Sequence, residues 1–185
     1  MNDHPRDSAA TRDRILNAYQ ELIIDHGERA ATLDAVARDA EVSKGGLLYH
    51  FPSKAALTEG MLDRLDRMVD EDIATIRTAP DGAVAYFLRS SIVTDSSYDY
   101  AIAATMRLAQ LPDAQAAEAV ERMRRRWLDV LTEATGDTDL ATLVAVAADG
   151  LYSLASTGVT VTETELAPVL RALGRAGASV ARSGD

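Results

Sequence analysis

The chain has 185 residues, 47% of them hydrophobic, no cysteine, and a formal net charge of −10. That length allows one large domain or a small one joined to a larger, the missing cysteines exclude disulfides and thiolate metal sites, and the acidity argues against a protein that coats nucleic acid indiscriminately. The start, MNDHPRDSAATRDR, is too polar for a signal peptide and no run of 18 apolar residues exists, so a cytoplasmic protein with no membrane partner is expected.

Taken in chain order, nearly everything reads as helix. Ile15, Ala18/Tyr19, Leu22 and His26 recur at helical spacing, and Gly27 supplies the stop. Thr32 is an N-cap for a helix over 33–40 with Leu33, Val36 and Ala37 facing inward. Ser43 caps 44–50, and Ser53 caps a long helix from Lys54 to about Thr78, ended before Ala79-Pro80-Asp81-Gly82. Further helical patterns cover about 82–94, 98–110, 113–135, 138–157 and 163–181. No alternating strand of convincing length occurs; residues 158–162 come nearest. The expectation is an all-α chain of about nine helices. An N-terminal three-helix domain with a helix-turn-helix would occupy 1–53, and a C-terminal helical bundle 54–185.

Residues 32–57, TLDAVARDAEVSKGGLLYHFPSKAAL, carry most of the functional information. Two short helices flank a tight turn, the second enters through bare glycines, and Pro-Ser-Lys opens a third. A helix-turn-helix is written this way when its second helix enters the major groove of DNA. Gly45 and Gly46 let the first turn approach the DNA backbone without a β-carbon in the way. The helix start offers free N–H groups and partial positive charge to phosphate. Thr32 and Ser43 can cap or donate to phosphate, and Tyr49, His50 and Lys54 follow with donors of different reach. Most such contacts position the protein; Lys44, Gly45, Gly46 and the Leu47/Leu48 pair are the groups placed to read bases. The chain's two lysines, Lys44 and Lys54, bracket the reading helix. The plainer alternative makes Gly45-Gly46 a loop and Tyr49, His50 and Phe51 core. Each residue alone fits that alternative; the combination at fixed spacing favours DNA.

This ordered set resembles the N-terminal DNA-binding domain of the tetracycline-repressor (TetR) family of transcriptional regulators. Thr32, Val42-Ser43-Lys44-Gly45, His50-Phe51, Ser53-Lys54 and Leu57 carry the resemblance, over roughly 11–60. It implies a nine-helix regulator that binds a palindromic DNA operator as a homodimer and is released by a small-molecule effector. Two positions depart from the family pattern. Glu41 stands where the family usually has glycine in the turn, and Leu48 stands where it usually has a phosphate-binding tyrosine, with Tyr49 one residue later.

The remainder of the chain offers no motif. Helix 138–157 is apolar on more than one face: Leu140, Leu143/Val144, Ala147, Leu151 and Leu154 form one stripe, and Ala141, Ala145, Ala148, Tyr152 and Ala155 another. Such a helix must be covered on both sides. Leu166, Val169/Leu170, Leu173 and Val180 give a matching stripe on the last helix. Two such helices per subunit would make a four-helix dimer interface, or a central core in a monomer. An effector pocket would draw on Met61, Leu65 and Met68 of the long helix and on Phe87, Tyr98, Tyr100, Met106 and Trp127, each of which fits plain core equally well. The basic run in ERMRRRW, residues 121–127, reads as a solvated, ion-paired face, with an anionic-ligand site as the alternative. Asp63, Asp66 and Asp70 share a helix face but lack the Glu-x-x-His partners of a dimetal bundle, so neither a metal nor another cofactor is expected. No Gly-x-Ser-x-Gly, phosphate loop or His-Glu-x-x-His occurs, and no catalytic residues are expected.

Overall fold

A computed structural model describes the backbone of residues 5–92 and 95–183, and the side chains of 8–92 and 95–175. Over the described residues the chain forms nine helices and no strand: α1 Pro5–His26, α2 Leu33–Asp39, α3 Lys44–His50, α4 Lys54–Thr78, α5 Ala83–Ser90, α6 Ser97–Ala109, α7 Ala114–Thr135, α8 Thr138–Ser156 and α9 Glu163–Ser183. Caps set the starts. Thr32 Oγ1 accepts from the Ala35 N–H at 3.2 Å, Ser43 Oγ from Gly46 at 3.0 Å and Ser53 Oγ from Ala56 at 3.1 Å. Ser96 and Asp99 close a capping box on α6, and Asp137 Oδ1 caps α8 through the N–H groups of Asp139 and Leu140. α1 ends where Gly27 turns left-handed at φ 81°. One boundary differs from expectation: α5 stops at Ser90 rather than continuing toward 94. Ser90 and Ser91 both turn their hydroxyls back onto the Phe87 carbonyl, at 3.0 and 2.7 Å, and so compete with the helix ladder. Residues 93–94 of that expected helix lie outside the described ones.

The chain packs as two compact units, one of residues 1–68 and 96–120, the other of 69–95 and 121–185. In the first, Ile15, Leu16, Tyr19 and Ile23 of α1 pack with Leu47, Phe51, Leu57, Met61 and Leu108, all essentially without solvent contact. α1 lies along α6. The start of α4 and α6 complete the core of this unit. α1 with the two seven-residue helices alone would bury a smaller share of its surface. Polar ties cross this core as well. The hydroxyls of Tyr19 and Thr58 share a hydrogen bond of 2.8 Å, and burial pushes the Tyr19 phenol above its ordinary pKa. Arg64, 6% exposed, donates to Asn17 Oδ1 at 2.8 Å and to Gln20 Oε1, binding α4 to α1. Burial lowers its pKa.

In the second unit α5 packs on α8 and α9, and α8 on α9. Val69, Ile73 and Ile76 of α4 are buried here, as are Phe87, Leu88, Met123, Val130, Leu131, Leu140, Val144 and Leu166. Ion pairs surround this core: Arg77 with Glu133 at 3.0 Å, Arg126 with Asp70, and Arg89 with both Asp81 and Glu163.

Candidate nucleic-acid interface

α2 and α3 meet at a turn whose backbone bonds run from Ala40 N to Val36 O at 2.9 Å, and from Val42 N to Ala37 O at 3.0 Å. Glu41 lies between them at φ 54°, the left-handed conformation that a glycine would adopt without strain. The turn keeps its shape and Glu41 bears the strain, about 1–2 kcal/mol for a residue with a β-carbon. Leu47, fully buried, and Phe51, 1% exposed, anchor α3 to the core, which turns the opposite face outward. That face presents Lys44, Gly45, Leu48 and Tyr49; Tyr49 is 77% exposed against 37% for Leu48. Thr32 and Ser43 are exposed at the two helix starts, and Gly46 and His50 are half-buried. Tyr49 meets the His50 ring edge-on, with centroids 5.1 Å apart.

The two glycines differ. A β-carbon at Gly45 would meet nothing within 4 Å, so the bare backbone there is open to an incoming molecule. At Gly46 it would stand 3.2 Å from Ser43 Oγ, the atom that caps α3. The lysines already have partners: Lys44 Nζ pairs with Asp34 at 2.8 Å, and Lys54 Nζ with Glu28 at 2.7 Å and with the Glu28 carbonyl. The Lys44 pair is largely exposed, where such contacts contribute little and exchange readily. Lys54 is more enclosed and ties the start of α4 to the loop after α1.

The candidate effector residues are divided between the units. Met61 and Leu65, at 0% and 1% exposure, are core of the first unit. Met68 and Tyr98 are half-buried. Tyr100 and Met106 are 41% and 40% exposed, and Ala101, Ala104, Thr105 and Leu108 form the inward face of α6. Phe87 and Trp127 do come together in the second unit, edge to face at 5.4 Å, beside a groove of about 190 Å³. Leu128, Ala145 and Val146 complete its apolar wall, and Arg124 and Asp149 pair at its rim. Asp72 on α4 holds this corner together. It accepts from Trp127 Nε1 at 2.9 Å and from the Tyr86 hydroxyl at 3.2 Å. Burial, then the Asp72 charge, push the Tyr86 phenol above its usual pKa. Sequence reasoning did not single out Asp72, since a carboxylate on a helix rich in carboxylates carries no local signal. The basic run is ion-paired as well: Arg125 with Glu121 at 3.5 Å, Arg124 with Asp149, Arg126 with Asp70. Among the described residues no three His, Asp or Glu side chains are grouped to hold a metal ion.

The candidate dimer residues split too. On α8 the buried stripe is Leu140, Ala141, Val144 and Ala148, while Leu143, Val146 and Leu154 are 52%, 59% and 48% exposed. Ala147 and Leu151 are half-buried, as is Leu170 on α9. Leu166 and Leu173, at 0% and 6%, are part of the chain's own core. The Val180 side chain lies outside the described residues. α8 is long and apolar enough to cross a membrane by length and composition alone, with 22% of its apolar window buried.

Comparison with known proteins places this geometry. Residues 15–61 match the family model described as bacterial regulatory proteins, tetR family, and residues 81–176 match the tetracyclin repressor-like C-terminal domain. The transcriptional repressor KstR2 of Mycolicibacterium smegmatis is 27% identical over 143 residues, which are 73% of this chain and 70% of KstR2. The transcriptional regulator UidR of Escherichia coli is 34% identical over 62 residues, 34% of this chain and 32% of UidR. In three dimensions the chain resembles NalD of Pseudomonas aeruginosa, the secondary repressor of a multidrug efflux pump, with a TM-score of 0.67 at 18% identity over 90% of this chain and 96% of NalD. A TetR-family regulator from a Rhodococcus species gives 0.64 at 20% identity, over 91% of this chain and 99% of the other. At those identities the likeness concerns the fold. The curated relatives are transcriptional regulators, not enzymes. With family models spanning both its reading head and most of its C-terminal helices, the chain belongs to the tetR family of bacterial transcriptional regulators and carries that family's DNA-binding helix-turn-helix.

Proposed function

We propose that the protein is a cytoplasmic repressor that binds a palindromic operator as a homodimer and releases it when a small, mainly apolar effector binds. The observation that carries the DNA half is the outward face of α3, where Lys44, bare Gly45 and Tyr49 stand clear of a module anchored through Leu47 and Phe51. A helix of that kind meets one major groove, and a palindrome requires two at fixed spacing. The second copy docks on α8. Leu143, Val146 and Leu154 leave an apolar stripe uncovered on a helix that also carries Asp139 and Asp149, which favours a protein partner over lipid.

The effector enters the Phe87–Trp127 groove. A ligand that displaces Trp127 breaks its bond to Asp72 on α4, the helix that begins at Lys54 beside the reading head. It shifts the equilibrium only as far as it prefers the displaced arrangement. The burial of Met61 and Leu65 supports a second reading, a regulator of the same fold with no small-molecule input. Selecting bound fragments from the source genome, then screening compounds for release, separates the two. Fragments sharing no palindrome would overturn the operator reading. Release by no compound or cell extract would leave the second reading in place of the first.

A further inference from the structure

Arg12 lies where the reading helix joins the two helices that hold it, and nothing in the local sequence marks it. Its guanidinium stands 4.2 Å from the centroid of the Phe51 ring, and Nη1 donates to the His50 carbonyl at 3.4 Å. His50 is the last residue of α3 and Phe51 its C-cap. The cation therefore sits at the negative end of that helix, where the final carbonyls lack intrahelical donors. Gly60 on α4 completes the joint. A β-carbon there would be 2.6 Å from Phe51 Cε1 and 3.0 Å from Arg12 Nη2. Phe51 is buried in a packed core, so its ring has no room to withdraw. Guanidinium, ring and bare backbone thus stack where α1, α3 and α4 meet.

The geometry points to Arg12 as a positioning residue for DNA recognition, one that clamps the C-terminal end of α3 in its docking orientation without touching DNA. The inference rests on the reading of α3 as the docking helix. α3 has seven residues, two of them glycine, too few to hold a helix by propensity. Its start is held by the Ser43 cap, and its end by Phe51 and Arg12. Loosening that end leaves only a fraction of reading heads oriented to dock, and apparent affinity falls by that fraction. Lysine keeps the charge but not the flat stacking surface or the fork of donors.

The test measures operator affinity of full-length Arg12→Ala, Arg12→Lys and Gly60→Ala proteins across a salt series, with circular dichroism to confirm folding. Arg12→Ala should bind about tenfold more weakly, from losing a cation–π contact and a helix-end charge together. The slope of log affinity against log salt should not change, because no counterion-releasing contact is lost. Arg12→Lys should recover only part of the loss, and Gly60→Ala should reproduce it with Arg12 intact. If Gly60→Ala does not fold, the Arg12 pair decides. A slope lowered by about 1 would make Arg12 a phosphate ligand and overturn the inference. So would unchanged affinity, or full recovery by lysine, which would reduce the role to charge alone. A Gly46→Val control identifies which idea failed. If it too binds normally, α3 is not the docking helix; if it fails to bind while the Arg12 variants bind normally, only the clamp is wrong.

Discussion

α3 and α8 both leave a face uncovered, and the two faces could hardly differ more. α3 has seven residues, and its outer face shows a lysine, a bare glycine and a tyrosine. α8 has 19 residues, and its outer face shows Leu143, Val146 and Leu154. The first is suited to a hydrated, charged polymer, because helix-start N–H groups, an ammonium and a phenol gain by meeting phosphate. The second gains only by leaving water, so it suits another apolar surface. A helix-turn-helix that reads a palindrome needs both, since one module alone docks in one groove. The same division accounts for the chain's charge. Residues 1–54 carry a net −2 and the rest a net −8, so like-charge repulsion from DNA falls mainly on the C-terminal part.

The sharpest way to break this contrast is to deny α3 its close approach. Gly46→Val puts a branched side chain where even a β-carbon would stand 3.2 Å from the capping Ser43 oxygen, at the start of the proposed docking helix. Operator affinity should fall by about a hundredfold or more, through the lost cap and steric exclusion together. The helical signal of the remaining chain should persist. Fluorescence anisotropy with labelled operator measures it, and unchanged affinity would place the DNA contact elsewhere.

On α8 the counterpart is Leu143→Arg. Leu143 is 52% exposed in the single chain, so the change disturbs no internal packing, yet an arginine there would meet its own copy across a two-fold interface. An unpaired buried charge costs about 3–5 kcal/mol, enough to split a dimer at micromolar concentration. Sedimentation velocity should show wild type as a dimer without DNA and the variant as a folded monomer. A wild-type monomer at that concentration would rule α8 out as the interface.

A smaller effect comes from Lys54, bonded to Glu28 and only partly exposed. Lys54→Ala should weaken binding to every DNA sequence alike and lower the salt slope by about 1 if the ammonium exchanges Glu28 for a phosphate. A weaker affinity with an intact slope would confine Lys54 to tethering α4.

The two helices also differ in how far their roles can be read before folding. α2 and α3 begin at the expected residues because Thr32 and Ser43 act within three residues of themselves, and the anchoring of Leu47 and Phe51 follows from a short helix having one inward side. α8 resists such reading. Its polar residues Thr138, Thr142, Asp149, Ser153 and Ser156 mark only one narrow face, and apolar residues on both sides of that face look alike in sequence. Leu143 and Val144 look interchangeable in sequence, yet Val144 is fully buried and Leu143 is half exposed. The interior positions of Leu166 and Leu173 likewise depend on where α5 and α8 lie, which no window on α9 contains. Arg12 falls in the same category, since its partners, Phe51 and Gly60, are some 40 and 50 residues distant in the chain.

Glu41 supplies the smallest perturbation and tests whether strain in the reading head has a purpose. Its φ of 54° is imposed by the tight turn between α2 and α3, where Ala37 and Ala40 are buried and the Val42 N–H is fixed to Ala37 O. Glu41→Gly relieves about 1–2 kcal/mol of steric strain and returns about 0.5–1 kcal/mol through the greater freedom of glycine in the unfolded chain. A net gain of roughly 1 kcal/mol should raise the melting temperature by about 2–4 °C for a chain of this size. Two further consequences distinguish stability from function. Removing a carboxylate beside the DNA-facing surface should strengthen binding slightly, and most at low salt, where screening is weakest. If the strain merely accompanies the sequence, affinity at high salt stays unchanged while the melting temperature rises. If affinity at high salt falls in the more stable variant, the left-handed Glu41 helps set the angle of α3 against its operator.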